Sequence, residues 1–168
     1  QNRVTESLIY HRLAETFNIN NWPVAAPKAF VGHTIAPASG DQITMALGIF
    51  AHNIMPGITT IDKVADDVYS EHLNIALEHW QCEAKDVAFI NSKGFGGNNA
   101  TATLLSPEVT LEMMAKRHGS EIMVSYQDKL SAVEAKQKIY QEKADNGQFE
   151  LIYRFGVGVL GDDDIEIN

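Results

Sequence analysis

The sequence predicts an α/β domain, a mixed sheet layered with helices, followed by an extension of helices and a strand. Three observations carry this. Helical periodicity recurs in several separate stretches, short apolar runs alternate with them, and a glycine-rich turn joins two of those runs. With 168 residues, 45% of them hydrophobic and 21% charged, the chain has material for one ordinary core and is too apolar for a disordered segment.

Taken in order, Val4, Leu8, Ile9, Leu13 and Phe17 recur at helical spacing and predict a first helix over 3–17. Asn18 to Pro23 breaks the pattern. Val24 to Val31 reads as a short strand, which Pro23 and Pro27 push to a sheet edge or bulge. After a turn from Gly32 to Gly40, the stretch 41–54 is apolar nearly all round. It predicts a helix buried on most sides and ended by Pro56-Gly57. A polar connection with a helix over 69–79 leads to Val87–Ile90, a short buried strand. Ala100 to Leu105 returns antiparallel across the turn. Ser106-Pro107 supplies a cap and a proline at the first helical position, and His118-Gly119 a stop. A longer helix is predicted over 125–146, with Tyr126, Leu130, Val133 and Tyr140 on one face, then a strand over 148–155 and an acidic end at Asp162-Asp163-Asp164. The change of character after Leu105 divides the chain into a domain over 1–105 and a C-terminal extension over 106–168.

Thirteen Lys and Arg against 22 Asp and Glu give a net charge of −9, the wrong sign for a protein that neutralises phosphates, so no nucleic-acid partner is expected. No apolar run is long enough to span a membrane. The lone cysteine, Cys82, excludes an internal disulfide framework and a cysteine-rich zinc site, and the expected compartment is the cytoplasm. The chain opens Gln1-Asn2-Arg3 without Met or a signal segment, as though cut from something longer. His11 and His52 lack an acid or cysteine at metal-ligand spacing. His72 and His79 read as solvent-exposed, and Asp162, Asp164 and Glu166 have no EF-hand loop around them. No metal site is predicted.

Two stretches carry chemistry. In Lys28-Ala29-Phe30-Val31-Gly32-His33-Thr34, followed by Ala36-Pro37-Ala38-Ser39-Gly40, a histidine precedes an apolar helix. A neutral imidazole facing a pocket there can donate a hydrogen bond to an oxyanion, and Lys28 could reach the same pocket. The same residues also fit a histidine bonded to backbone with a surface lysine. The second stretch is Asn91-Ser92-Lys93-Gly94-Phe95-Gly96-Gly97-Asn98-Asn99-Ala100. Its glycines permit positive φ and close approach of a ligand to backbone N–H groups, and one aromatic among them suits a gate. It equally fits a hairpin turn with Phe95 packed inside. Its spacing matches neither GxGxxG nor a P-loop, which argues against a nucleotide.

Together, in this order and at this separation, the two stretches resemble the C-terminal half of a β-ketoacyl-[acyl-carrier-protein] synthase of the thiolase-like superfamily. Lys28, Gly32, His33 and Gly40 match the first motif; Asn91, Ser92, Gly94, Phe95, Gly96, Gly97, Asn99 and Ala100 match the second. The resemblance covers about residues 1–105. It implies a decarboxylating Claisen condensation between an acyl thioester and malonyl-acyl-carrier protein, in fatty acid or polyketide biosynthesis. In that reading His33 hydrogen-bonds the malonyl thioester oxygen and Lys28 holds the histidine. Phe95 gates the acyl pocket and lends its N–H to the oxyanion hole, and Gly94, Gly96, Gly97 and Asn99 form the active-site turn. No cofactor is implied beyond the phosphopantetheine that the carrier protein brings. The implied partners are acyl-carrier protein, acyl thioesters, the N-terminal half of the synthase, and a second copy in a parent homodimer.

Three departures stand beside the matches. The nucleophilic cysteine and the first catalytic histidine belong to a segment outside this sequence, and Cys82, beside Glu83, is a poor substitute. The small-residue stretch after His33 is one residue longer than usual, and Lys93 replaces a residue that is often apolar. The chain alone is therefore expected to be inactive, with apolar faces of its 41–54 helix left open. The alternative is a non-catalytic partner or assembly module like the chain-length factors, in which Lys28 and His33 have no chemical role.

Overall fold

The computed structural model describes residues 2–94 and 96–148. They fall into two units, Gln1–Met113 and Met114–Asn168.

The first unit opens with α1, Asn2–Thr16, and the chain leaves it through Asn18, whose φ of 54° is one that asparagine tolerates. The buried face of α1 is the one carrying Ser7 and Ala14, whereas Phe17 is 70% exposed. Strand β1 (Trp22–Pro23) follows, then the single helical turn α2 (Lys28–Val31) and helix α3 (Ala38–His52). The strand expected over 24–31 is thus replaced by a turn of helix. Pro27 already has helical angles (φ −57°, ψ −31°), so its carbonyl starts the turn by accepting from Phe30 and Val31, and Gly32 N–H closes it on Lys28 O at 3.0 Å.

Helix α3 stops earlier than its apolar pattern suggests. Asn53 takes the left-handed conformation (φ 53°, ψ 33°) and donates to Ile49 O at 2.8 Å, so the stop is an asparagine cap and not Pro56-Gly57. Gly57 instead answers to space, because a Cβ there would overlap the backbone of Glu78. Of α3 only Ala38 and Ala46 are buried, and Leu47 is 51% exposed.

The helix expected over 69–79 does not form, because its backbone groups are committed to distant parts of the chain. Tyr69 N–H donates to Ser7 Oγ (3.1 Å), His72 O accepts from Trp22 N–H (2.8 Å), and Asn74 O accepts from Val24 N–H (3.0 Å). Those bonds make β3 (Leu73–Asn74) a parallel neighbour of β1. Likewise β4 (Trp80–Gln81) pairs antiparallel with β2 (Ile54–Met55).

The longest pairing is the antiparallel hairpin of β5 (Val87–Lys93) and β6 (Asn99–Leu105), with Val87 opposite Leu105 and Lys93 opposite Asn99. Strand β5 packs against α3. Trp22 joins α1 to the hairpin, edge-on to Tyr10 at 6.3 Å and to Phe89 at 6.1 Å. Helix α4 (Pro107–His118) begins as its sequence predicts, with the enclosed Ser106 Oγ accepting from Val109 N–H at 3.2 Å.

Helix α5 (Ser120–Asp145), in the second unit, starts five residues before the expected position, directly after Gly119 at φ 79°, and buries none of its residues. The strand expected over 148–155 lies outside the described residues, apart from Gln148.

Candidate functional site

The first motif occupies α2, the loop after it and the start of α3. Gly32, at φ 72° and ψ −166°, turns the chain in a way that only glycine adopts without strain. Lys28, at the start of α2, and His33, two residues past its end, are both exposed. Neither side chain has a hydrogen-bond partner among the described residues. Thr34 Oγ1 donates to the carboxylate of Asp41 in the first turn of α3, which fixes the loop to the helix and sets a negative charge where the helix dipole favours one. Asp41 and Thr34 were not singled out by sequence. An acid three residues into a helix was the available signal.

Residues of α2 and α3 line an open, largely apolar groove of about 590 Å³, within the range of small-molecule sites. Phe30, Val31, Met45, Ile49, Pro56 and His79 are among its lining residues. His79 is held there, its Nδ1 accepting from Gly57 N–H at 3.2 Å and its ring 6.0 Å from that of Phe30.

The second motif is the turn of the β5–β6 hairpin. Gly96 and Gly97 sit at φ 81° and 82°, and no atom lies within 4 Å of a Cβ built at either. Their glycine character is therefore a matter of backbone conformation and not of space. Gly94 N–H closes the turn on Asn98 O at 2.6 Å. Asn99 Nδ2 lies at the edge of hydrogen bonding to Gly97 O, 3.4 Å away. Ser92, Gly94, Gly97 and Asn99 face a shallow recess of about 420 Å³. Phe95 lies outside the described residues.

The motif's first residue has a different task. Asn91 Nδ2 donates to Glu6 Oε1 and to Tyr10 Oη, each at 3.2 Å, while its Oδ1 accepts from Thr101 Oγ1 at 3.1 Å. Lys93 Nζ stands 3.5 Å from the same Glu6 oxygen, which answers the charge that departs from the motif. Asn91 thus ties the hairpin to α1. Burial raises the pKa of Tyr10 above the usual tyrosine value; the hydrogen bond with Asn91 opposes this, and the charge of Glu6 adds to it. Glu6 and Tyr10 lie four residues apart on one face of α1, a polar spacing hidden by reading that helix for apolar residues alone.

Cys82 is buried, its N–H bonded to Asn53 O at 2.8 Å. The structure therefore carries the two motifs on adjoining elements: the histidine loop leads into α3, α3 packs on β5, and β5 leads into the glycine turn.

No family model matches the chain. It is 47% identical over 168 residues to the β-ketoacyl-[acyl-carrier-protein] synthase FabY of Pseudomonas aeruginosa, a match that covers 99% of this chain and 26% of that protein. The crystal structure of the ketosynthase FabY from the same organism superposes with a TM-score of 0.88 at 46% identity, again over 99% of this chain and 26% of that one. The chain spans about a quarter of the length of that relative.

Proposed function

We propose that this chain, a segment of a β-ketoacyl-[acyl-carrier-protein] synthase with part of the thiolase-like fold, supplies half of the active site for a decarboxylating Claisen condensation. The observation that supports this best is the match to FabY, which runs through both motifs at 47% identity and a TM-score of 0.88. The acyl group rides on a cysteine from the remainder of the synthase. Malonyl-acyl-carrier protein loses CO2, the electron pair left behind forms an enolate on the thioester, and its carbon attacks the acyl carbonyl. The resulting tetrahedral oxyanion collapses, breaking the acyl–sulfur bond, so that the cysteine leaves as thiolate and the β-ketoacyl group stays on the carrier protein. His33 donates a hydrogen bond to the thioester oxygen as charge develops there, and Lys28 orients the histidine once the remainder closes over the exposed loop. Backbone N–H groups of the turn around Phe95 receive the oxyanion formed on the acyl carbonyl. The turn suits that task because Gly96 and Gly97, at positive φ, add no side chains of their own beside its N–H groups.

In this reading the synthase works in fatty acid biosynthesis, in the cytoplasm, as a homodimer served by acyl-carrier protein, with no resident cofactor and no nucleic-acid partner. Among the described residues, no helix is long and apolar enough to cross a membrane.

The test uses the chain within the whole synthase. His33→Ala is expected to lower the condensation rate by about 10²–10³, the usual cost of an oxyanion donor, and Lys28→Ala to lower it less. An unchanged rate in His33→Ala would overturn the assignment and favour the chain-length-factor reading.

A further inference from the structure

We propose that His11, Glu71 and His72 form a binding site for a divalent transition-metal ion, with Zn2+ the best fit. Their sequence spacing hides this, since 60 residues separate the helix from the other two ligands. The fold removes that distance. Tyr69 N–H donates to Ser7 Oγ (3.1 Å), one turn of α1 before His11, and His72 O is fixed by Trp22 N–H (2.8 Å). One nitrogen from each imidazole and one Glu71 oxygen lie within 4.8 Å of one another, with the two rings 5.0 Å apart and inclined by 30°.

Two imidazoles and a carboxylate are a donor set that zinc takes, and three protein ligands leave a fourth position for water. A hard cation such as Mg2+ seeks oxygen donors and would gain little from the imidazoles. Because the backbone on both sides is already hydrogen-bonded, side-chain rotation alone must bring the donors to roughly 2.0–2.2 Å from a common ion.

A second, independent observation concerns His11. Its Nδ1 is shut off from solvent and has no hydrogen-bond partner among the described residues, whereas buried polar atoms nearly always have one. Coordination would give that ring the polar contact it lacks. A bound ion would pin α1 to the segment entering β3, away from the condensation chemistry.

Titration of the 168-residue chain with Zn2+ alone, by calorimetry near neutral pH, tests this independently of the proposed function. One ion per chain should bind with a dissociation constant of about 10 μM or tighter, and the melting temperature should rise with zinc concentration. His11→Ala and His72→Ala should each weaken binding by more than the roughly 10–100-fold that loss of an outer-shell contact costs. His118→Ala, on α4, should leave it unchanged. Circular dichroism without zinc identifies any variant that fails to fold, and Glu71→Gln, which keeps the shape and removes the charge, then serves in its place. Binding of undiminished strength in the ligand variants, equal affinity for Mg2+, or no uptake at about 100 μM zinc would each overturn the site.

Discussion

Ile35 sits between His33 and α3 at φ 64°, a conformation that a β-branched side chain adopts only under strain, and its side chain is 76% exposed. Ile35→Asn, which tolerates the left-handed region, is expected to stabilise the chain by about 1 kcal/mol, read as a higher urea midpoint at unchanged slope. The opposite sign belongs to the glycine turn. Gly96→Ala or Gly97→Ala should each cost about 1–2 kcal/mol, since a side chain there has room but the wrong backbone angles. Gly57→Ala should cost about 1–3 kcal/mol for the other reason, overlap with the Glu78 backbone. The need for glycine in the turn was readable from its sequence. That of Gly57 was not, because Glu78 arrives there only through the pairing of β2 with β4.

At the scale of elements, the hairpin is held to α1 by Asn91, Glu6 and Tyr10. A two-stranded hairpin is marginal on its own, so these bonds and the Trp22 edge contacts place it. Asn91→Ala removes two of them together with the Thr101 bond inside the hairpin and should destabilise the first unit by about 1–3 kcal/mol, with faster amide exchange in β5 and β6 as the readout. Tyr10 gives the arrangement a pH dependence of known sign. Its folded pKa is raised above the ordinary tyrosine value of about 10, so the stabilisation is fully present below that value and is lost as pH rises through the folded value. Tyr10→Phe should therefore weaken the protein at neutral pH yet flatten its loss of stability above pH 10; an identical alkaline slope would refute this. The antiparallel hairpin, the Ser106 cap and the turn were legible because each is a local pattern. The helix expected over 69–79 failed because partners more than 40 residues away took its hydrogen bonds.

At the scale of the molecule, the described residues hold a small core. The buried apolar residues are Ala14, Ala38, Ala46, Met55, Leu73, Cys82 and Ile90, and no large side chain is fully enclosed. Leu47, Ile54, Phe30 and Val31 are exposed on and around α3, so the helix that its nearly all-round apolar pattern predicts to be buried on most sides is open along much of its surface among the described residues. Exposed apolar surface of this kind drives association. The isolated chain should self-associate in light scattering at micromolar concentration, and co-expression with the remainder of the synthase should suppress this. A stable, ideal monomer would contradict both the prediction and the view that the chain is half of a larger domain.

The helices α1, α3 and α4, the hairpin, and the ordered pair of motifs that leads to the ketosynthase reading all rest on information within a few residues: periodicity, caps, and glycines at positions of positive φ. What lay beyond the sequence has a common cause. The turn α2 in place of a strand followed from the backbone angles at Pro27. The short strands β1 to β4, the Asn91 network and the cluster of His11, Glu71 and His72 come from contacts between residues tens of positions apart, whose geometry exists only once the chain has folded back on itself.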